Sequence, residues 1–312
     1  MNTRTGSDEF FERRITYPDF AAQDRLARLV GLDDQKSRLV KILSLLVNPA
    51  GLESWARKHH PNLNGLLKTV LRRPPLVVLA GDVGSGKTEL AETIGDAVAR
   101  QEDIDLTLLP LSLSARGQGR VGEMTQLITS AFDFAISEAA KLKGAGRARG
   151  GIILLVDEAD ALAQSRENAQ MHHEDRAGVN AFIRGIDRVA NGALPMAVVM
   201  CTNRLGALDP AVKRRAADIL AFGRPDDDQR RALLSGPLAE LGFNKADLDR
   251  LVAITGPRGK IDYGFTFSDL TQRLLPSIIL DAYPSGAVRP DRMLELAYAM
   301  SPTPPFQEGK QG

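Results

Sequence analysis

Eight residues constrain this chain more than any others: Gly81-Asp82-Val83-Gly84-Ser85-Gly86-Lys87-Thr88, a match to G-x-x-x-x-G-K-[ST]. The match carries weight because of what flanks it. Ahead of it, Pro74-Pro75 introduces Leu76-Val77-Val78-Leu79-Ala80, a short apolar run bounded by breakers, as a fully buried parallel strand requires. Behind it, a helix is expected to start near Lys87. A strand, a glycine-rich turn and a helix N-terminus in that order make a phosphate cradle. The glycines let successive backbone N–H groups curl inward, and the helix end adds partial positive charge. Lys87 is expected to reach the β- and γ-phosphates, and the Thr88 hydroxyl to bind Mg²⁺. The expected ligands are therefore ATP and Mg²⁺, with contacts from Asp82, Val83, Gly84, Ser85, Gly86, Lys87, Thr88 and Glu89.

Four further apolar runs, at 106–111, 152–156, 196–201 and 218–222, read as strands. Helical patterns lie between them. From 122 to 143, Met124, Leu127, Ile128, Ala131, Phe132, Ala135, Ile136 and Ala139 keep the spacing of three and four that makes one apolar stripe. A second stripe runs over 175–190. Strands alternating with helices predict an α/β domain with a parallel sheet flanked by helices, over 29–224. After Phe222 the strand signals stop, and a small all-helical lid domain is expected over 225–300. The polar segment 1–28 reads as an N-terminal arm, because so short a piece cannot bury its own core. The Pro- and Gly-rich residues 301–312 read as a flexible tail.

Seventy residues after Lys87, the run Ile152-Ile153-Leu154-Leu155-Val156 ends in Asp157-Glu158. Ligands bind at this end of a parallel sheet. Asp157 fits a magnesium role through water, and Glu158 fits the base that polarises an attacking water. The next strand ends Cys201-Thr202-Asn203, placing an amide where it could hydrogen-bond that water or the γ-phosphate. Leu208-Asp209-Pro210-Ala211-Val212-Lys213-Arg214-Arg215 follows, and arginines in trans to a γ-phosphate stabilise the charge of phosphoryl transfer.

Composition narrows the alternatives. Forty basic residues against thirty-nine acidic give a net charge of +1, too even for a chain whose main task is gripping nucleic-acid backbones. A helicase or loader acting on nucleic acid is therefore the weaker alternative, and a non-hydrolysing scaffold would not need Glu158, Asn203 and the arginines together. The single cysteine, Cys201, makes no internal disulfide. No apolar run is long enough to span a membrane, and the N-terminus lacks a signal-peptide pattern, so a cytoplasmic protein is expected.

Taken together, Val30-Gly31-Leu32-Asp33, GDVGSGKT, IILLVDEAD, CTN, LDPAVKRR and Gly264-Phe265-Thr266-Phe267-Ser268-Asp269 resemble the AAA+ ATPases over about residues 29–300. The resemblance implies a homohexameric ring with ATP between subunits, and it makes GDVGSGKT and the Asp157-Glu158 strand the Walker A and Walker B motifs. It further implies that Val30 and Gly31 lie beside adenine, that Asn203 is sensor 1, that Arg214 and Arg215 are the intersubunit fingers, and that Arg273 is a candidate sensor 2. The segments from Arg215 to Pro225 and from Leu270 to Pro276 resemble the pachytene-checkpoint ATPases, which remodel HORMA-domain proteins. The compact length resembles their bacterial branch in cyclic-oligonucleotide antiphage signalling (CBASS). That branch implies antiviral defence in which the ATPase separates a HORMA protein from its nucleotidyltransferase. Two departures stand out: only about 28 residues precede the core, and the first pore loop offers Arg120 and Val121 before Gly122-Glu123, without an aromatic.

Overall fold

The computed structural model describes residues 11–113, 123–144, 147–161 and 173–306. Its centre is a six-stranded sheet. The strands are β1 (Ile15–Tyr17), β2 (Leu76–Gly81), β3 (Asp105–Ser112), β4 (Gly150–Asp157), β5 (Met196–Thr202) and β6 (Ala216–Phe222), in the spatial order β1-β3-β4-β5-β2-β6. β3, β4, β5 and β2 run parallel, with Leu154 level with Val198 and Leu79 level with Cys201. Consecutive residues of β2, β4 and β5 are buried on both faces, which explains why these strands are continuous apolar runs rather than alternating ones.

On one face the helices Glu123–Leu142 and His173–Gly192 cover the sheet, and the Phe132 and Phe182 rings meet edge to face at 5.8 Å. The opposite face carries the helices Asp33–Val47 and Lys87–Glu102, and Val47 packs over Gly151 of β4. The chain divides into two compact units. One holds 1–27, 34–80 and 88–221; the other holds 28–33, 81–87 and 222–312. The second has its own core, in which Leu234, Leu251, Phe265, Leu270, Leu274 and Met293 are buried, built on the helices Asp227–Glu240, Lys245–Thr255, Leu275–Ala282 and Pro290–Ala299.

The structure departs from the sequence reading in two places. Residues 15–17, assigned to an arm, form the edge strand β1, antiparallel to β3, and Tyr17 is buried against Gly95. Three residues are too few to show a strand period, so nothing in the pattern marked them. The helix Asp33–Val47 ends directly before Asn48-Pro49, and Pro49 opens the next helix, Pro49–His59, as proline does at a first helical position. Residues 301–306, read as tail, are fastened at Thr303, whose N–H and hydroxyl both donate to Asp269. Among the described residues no helix is long and apolar enough to cross a membrane. The pore-loop residues Arg120 and Val121 lie outside the described residues.

Candidate active site

β2 delivers the chain into the phosphate loop, and the helix Lys87–Glu102 takes it out. Gly84 and Gly86 have φ of 70° and 90°. A side chain there would cost about 1–2 kcal/mol, so the glycines are what permit the curl. Lys87 is buried, and its Nζ donates to the carbonyl oxygens of Gly81 at 3.0 Å and Asp82 at 2.6 Å. Ser85 Oγ lies 3.3 Å from the same nitrogen and itself donates to the Asp82 carbonyl. The ammonium thus sits against two loop carbonyls and a loop hydroxyl at the start of the helix.

The same unit contains Val30 and Gly31. Gly31 has φ of 77°, and its carbonyl accepts a 2.6 Å hydrogen bond from Gln229 Nε2. It also contains Arg224, which pairs with Asp82 at 2.6 Å. Arg273 is engaged elsewhere than the sequence reading expects. Its Nη1 donates to Asp269 Oδ1 at 2.6 Å and lies 3.4 Å from both Ser301 O and Thr303 Oγ1. It stands four positions after Asp269, so the two face each other across one helical turn.

In the other unit, Thr88 Oγ1 donates to Asp157 Oδ1 at 3.3 Å, joining the phosphate helix to the tip of β4. Burial pushes the Asp157 carboxyl up, against the opposing pull of hydrogen bonds from the Glu158 N–H and Thr88. Glu158 itself is exposed and has φ of 50°, the left-handed region that side-chain-bearing residues rarely enter. Such strain, about 1–3 kcal/mol, collects at functional positions because the surrounding structure must enforce it. Here it turns the chain sharply off β4, so that Glu158 leaves the sheet line while Asp157 stays in it.

Asn203 follows β5, the neighbour of β4. Its backbone N–H donates to Asp160 Oδ1 at 2.8 Å and its Nδ2 to Asp160 Oδ2 at 3.0 Å, while Thr202 Oγ1 donates to Oδ1 at 2.8 Å. Glu89, expected beside nucleotide, has both carboxylate oxygens held by Arg25 at 2.7 Å, and Arg25 also reaches Glu92 at 3.0 Å. The carboxylate of Glu89 is thereby committed to the N-terminal segment. Arg214 and Arg215 differ although adjacent. Arg215 forms a two-pronged pair with Asp187, at 2.7 and 2.9 Å, and donates to Ala211 O; Arg214 is exposed and makes no side-chain hydrogen bond or ion pair among the described residues.

Sequence reasoning assigned no role to Asp160, Arg25 or Arg224. Each acts through a partner distant in the chain, and a spacing pattern does not report such pairs.

Residues 77–224 match the ATPase family associated with various cellular activities (AAA), a span that includes the phosphate loop, Asp157, Glu158, Asn203 and both arginines. CD-NTase-associated protein 6 of Escherichia coli (strain MS 115-1) is 68% identical over 307 residues, covering 98% of this chain and 99% of that protein. The chain belongs to this CD-NTase-associated family of AAA ATPases. A chain in the solved E. coli MS115-1 HORMA:CdnC:Trip13 complex superposes with a TM-score of 0.90 at 66% identity, covering 97% of this chain and 100% of that one. The Rhizobiales Trip13 structure gives a TM-score of 0.74 at 58% identity, covering 95% and 100%. The protein is an AAA+ ATPase: it binds nucleotide and hydrolyses ATP.

Proposed function

We propose that this ATPase is a ring-forming remodeller that pulls apart or partly unfolds a HORMA-domain protein complex, and by doing so restrains a nucleotidyltransferase of the CBASS antiphage type. One observation carries the reading: the end-to-end correspondence with a chain in the HORMA:CdnC:Trip13 complex, 97% of one and 100% of the other at 66% identity. Likeness over the catalytic core alone would be common to many AAA proteins, whereas this one extends through the N-terminal and helical segments as well.

In this reading the protein works in the cytoplasm as a homohexamer, with ATP seated on the Walker A loop at subunit boundaries. Glu158 polarises the water that attacks the γ-phosphate, and Asn203 hydrogen-bonds that water or the phosphate. Thr88 and Asp157 are the oxygen donors that would hold Mg²⁺, Asp157 through water. A carboxyl whose ionisation burial opposes, beside a hydroxyl, fits a small hard cation that keeps several waters. When bound, Mg²⁺ neutralises charge on the β- and γ-phosphates. Arg120 and Val121 grip the substrate in the pore.

The test is steady-state ATP turnover with and without a HORMA protein closed on its binding peptide, with Glu158→Gln as the blank. Stimulation accompanied by loss of the HORMA–peptide complex is the expected result. Robust turnover indifferent to the HORMA protein would leave an ATPase whose substrate is something else.

A further inference from the structure

Arg224 stands between β6 and the helix Asp227–Glu240, and its side chain is only 12% exposed. The guanidinium is fixed on three sides. Nε donates to Asp82 Oδ2 at 2.6 Å, Nη1 donates to the Gly264 carbonyl at 2.6 Å, and the plane lies 4.7 Å from the centroid of the Tyr263 ring. The remaining nitrogen, Nη2, is buried and has no partner among the described residues. A guanidinium has five N–H donors in a rigid fork, so a side chain held this way cannot swing to find water for the last of them. Buried donors of a charged group are rarely left without an acceptor, so an exception calls for one from outside the chain, an ordered water or a ligand.

Two other arginines of this unit also carry an orphan nitrogen, Arg230 at Nε and Arg258 at Nη1. Their remaining bonds go to Pro225, Asp227 and Met300, within the helical core. Arg224 alone of the three touches the phosphate loop. Asp82, the second residue of that loop, also accepts from the Val83 N–H at 3.2 Å, and two residues on, the Gly84 carbonyl accepts from the Ser268 N–H at 3.0 Å. The loop and the segment 263–268 are therefore stitched together at two points, with the orphan donor at one of them.

We propose that Arg224 is a nucleotide-binding residue of this ATPase: Asp82 and Gly264 hold its fork, and Nη2 donates to an oxygen of the bound nucleotide. It thus fills, from the entry to the helical unit, the place that the sequence reading gave to Arg273. Arg273 is committed to the buried carboxylate of Asp269 and to the chain at 301–303. The inference rests on reading 81–88 as the ATP loop.

The experiment measures the Kd of a fluorescent ATP analogue on the full chain in the Glu158→Gln background, with thermal melting to check each fold. Arg224→Ala and Arg224→Lys are each expected to weaken binding by about 10- to 100-fold, the loss of one charge-assisted hydrogen bond. Lysine keeps the charge and can keep Asp82, but it cannot serve the remaining acceptors. Asp82→Asn leaves the fork in place and should weaken binding by only a few-fold. Unchanged affinity in Arg224→Lys overturns the proposal, as does a loss that appears in Arg273→Ala instead. So does an Asp82→Asn loss equal to that of Arg224→Ala, since the ion pair alone would then account for it. Lys87→Ala separates the two levels: if it binds as tightly as its parent, the reading of the ATP loop fails; if it loses binding while Arg224→Lys does not, only this inference does.

Discussion

Asp160 holds Asn203 by both carboxylate oxygens, one on its backbone N–H at 2.8 Å and the other on its side-chain amide at 3.0 Å. The two residues belong to neighbouring strand ends, so this grip fixes the rotamer of Asn203 relative to Glu158, which precedes Asp160 by two residues. It also assigns the amide's orientation: Nδ2 faces Asp160, and the carbonyl oxygen of Asn203 is the atom that the carboxylate does not hold.

Asp160→Asn replaces one acceptor by an NH₂ group directed at donors. A misplacement of about 1 Å in a site residue can cost roughly 10²-fold. The expected outcome is kcat lowered by about 10- to 100-fold with nucleotide Kd within a few-fold of the parent, measured as ATP turnover beside analogue binding. Wild-type kcat in this variant would remove Asp160 from the support of the site.

Arg214 and Arg215 were indistinguishable in the sequence and are separated by the structure. Arg215 is anchored to Asp187 and raised in pKa, first by that hydrogen bond, so its charge is spent within its own chain. Arg214 is the exposed one, which makes it the candidate finger in the ring proposed above. Arg214→Ala should therefore lower ATP turnover by about 10³-fold or more while leaving nucleotide binding intact. Arg215→Ala should show a smaller kinetic effect together with a lower melting temperature. The reverse order of kinetic losses would make Arg215 the finger and require it to leave Asp187 in the ring.

Gly31 combines a φ of 77° with a tight neighbour, since a Cβ there would lie 2.8 Å from Gln229 Cγ. Gly31→Ala meets both obstacles, with a conformational cost of about 1–2 kcal/mol from the left-handed backbone alone. Gly31→Ala/Gln229→Ala relieves the clash but not the φ, and it also removes the 2.6 Å bond to the Gly31 carbonyl. Both variants are expected to melt earlier and bind nucleotide more weakly, the double variant included. Full recovery in the double variant would show that crowding, not backbone conformation, holds the position.

How much of this was legible in sequence follows from the range of each interaction. Strands β2, β4 and β5 were readable because burial on both faces demands unbroken apolar runs, and the loop was readable because glycine spacing is a local requirement. β1 was not, since its three residues are specified by pairing with Leu106, Thr107 and Leu108 of β3, about ninety positions away. The site divides the same way. Lys87 closes the glycine loop, and Asp157, Glu158 and Asn203 sit at strand ends that periodicity locates. Asp160, Arg25 and Arg224 are bonded to partners 43, 64 and 142 positions distant, and only the folded chain shows those pairs.

Asp269 links the helical core to the C-terminal segment, and it gives that unit a defined acid sensitivity. It is 1% exposed, and its carboxylate accepts from the N–H groups of Thr266 and Thr303, the Thr303 hydroxyl and Arg273 Nη1. Burial pushes its pKa up, but the hydrogen bonds from Thr266, Thr303 and Arg273 together outweigh it, and the net shift is down. A carboxyl held lower in the folded state than in the unfolded chain contributes stability above the unfolded value of about 3.9, and that contribution disappears as pH falls through the folded value. The window therefore lies below about pH 4, and nothing from this group should change between about pH 5 and 8. Asp269→Asn retains the size but sets an amide against four donors, which should cost about 1–3 kcal/mol at neutral pH. Urea unfolding of parent and variant, followed from about pH 7 down to pH 3, gives the check. The stability gap between them should be constant at neutral pH and close on the acid side. A gap that stays constant throughout would mean that packing around residue 269, rather than its charge, holds the C-terminal segment in place.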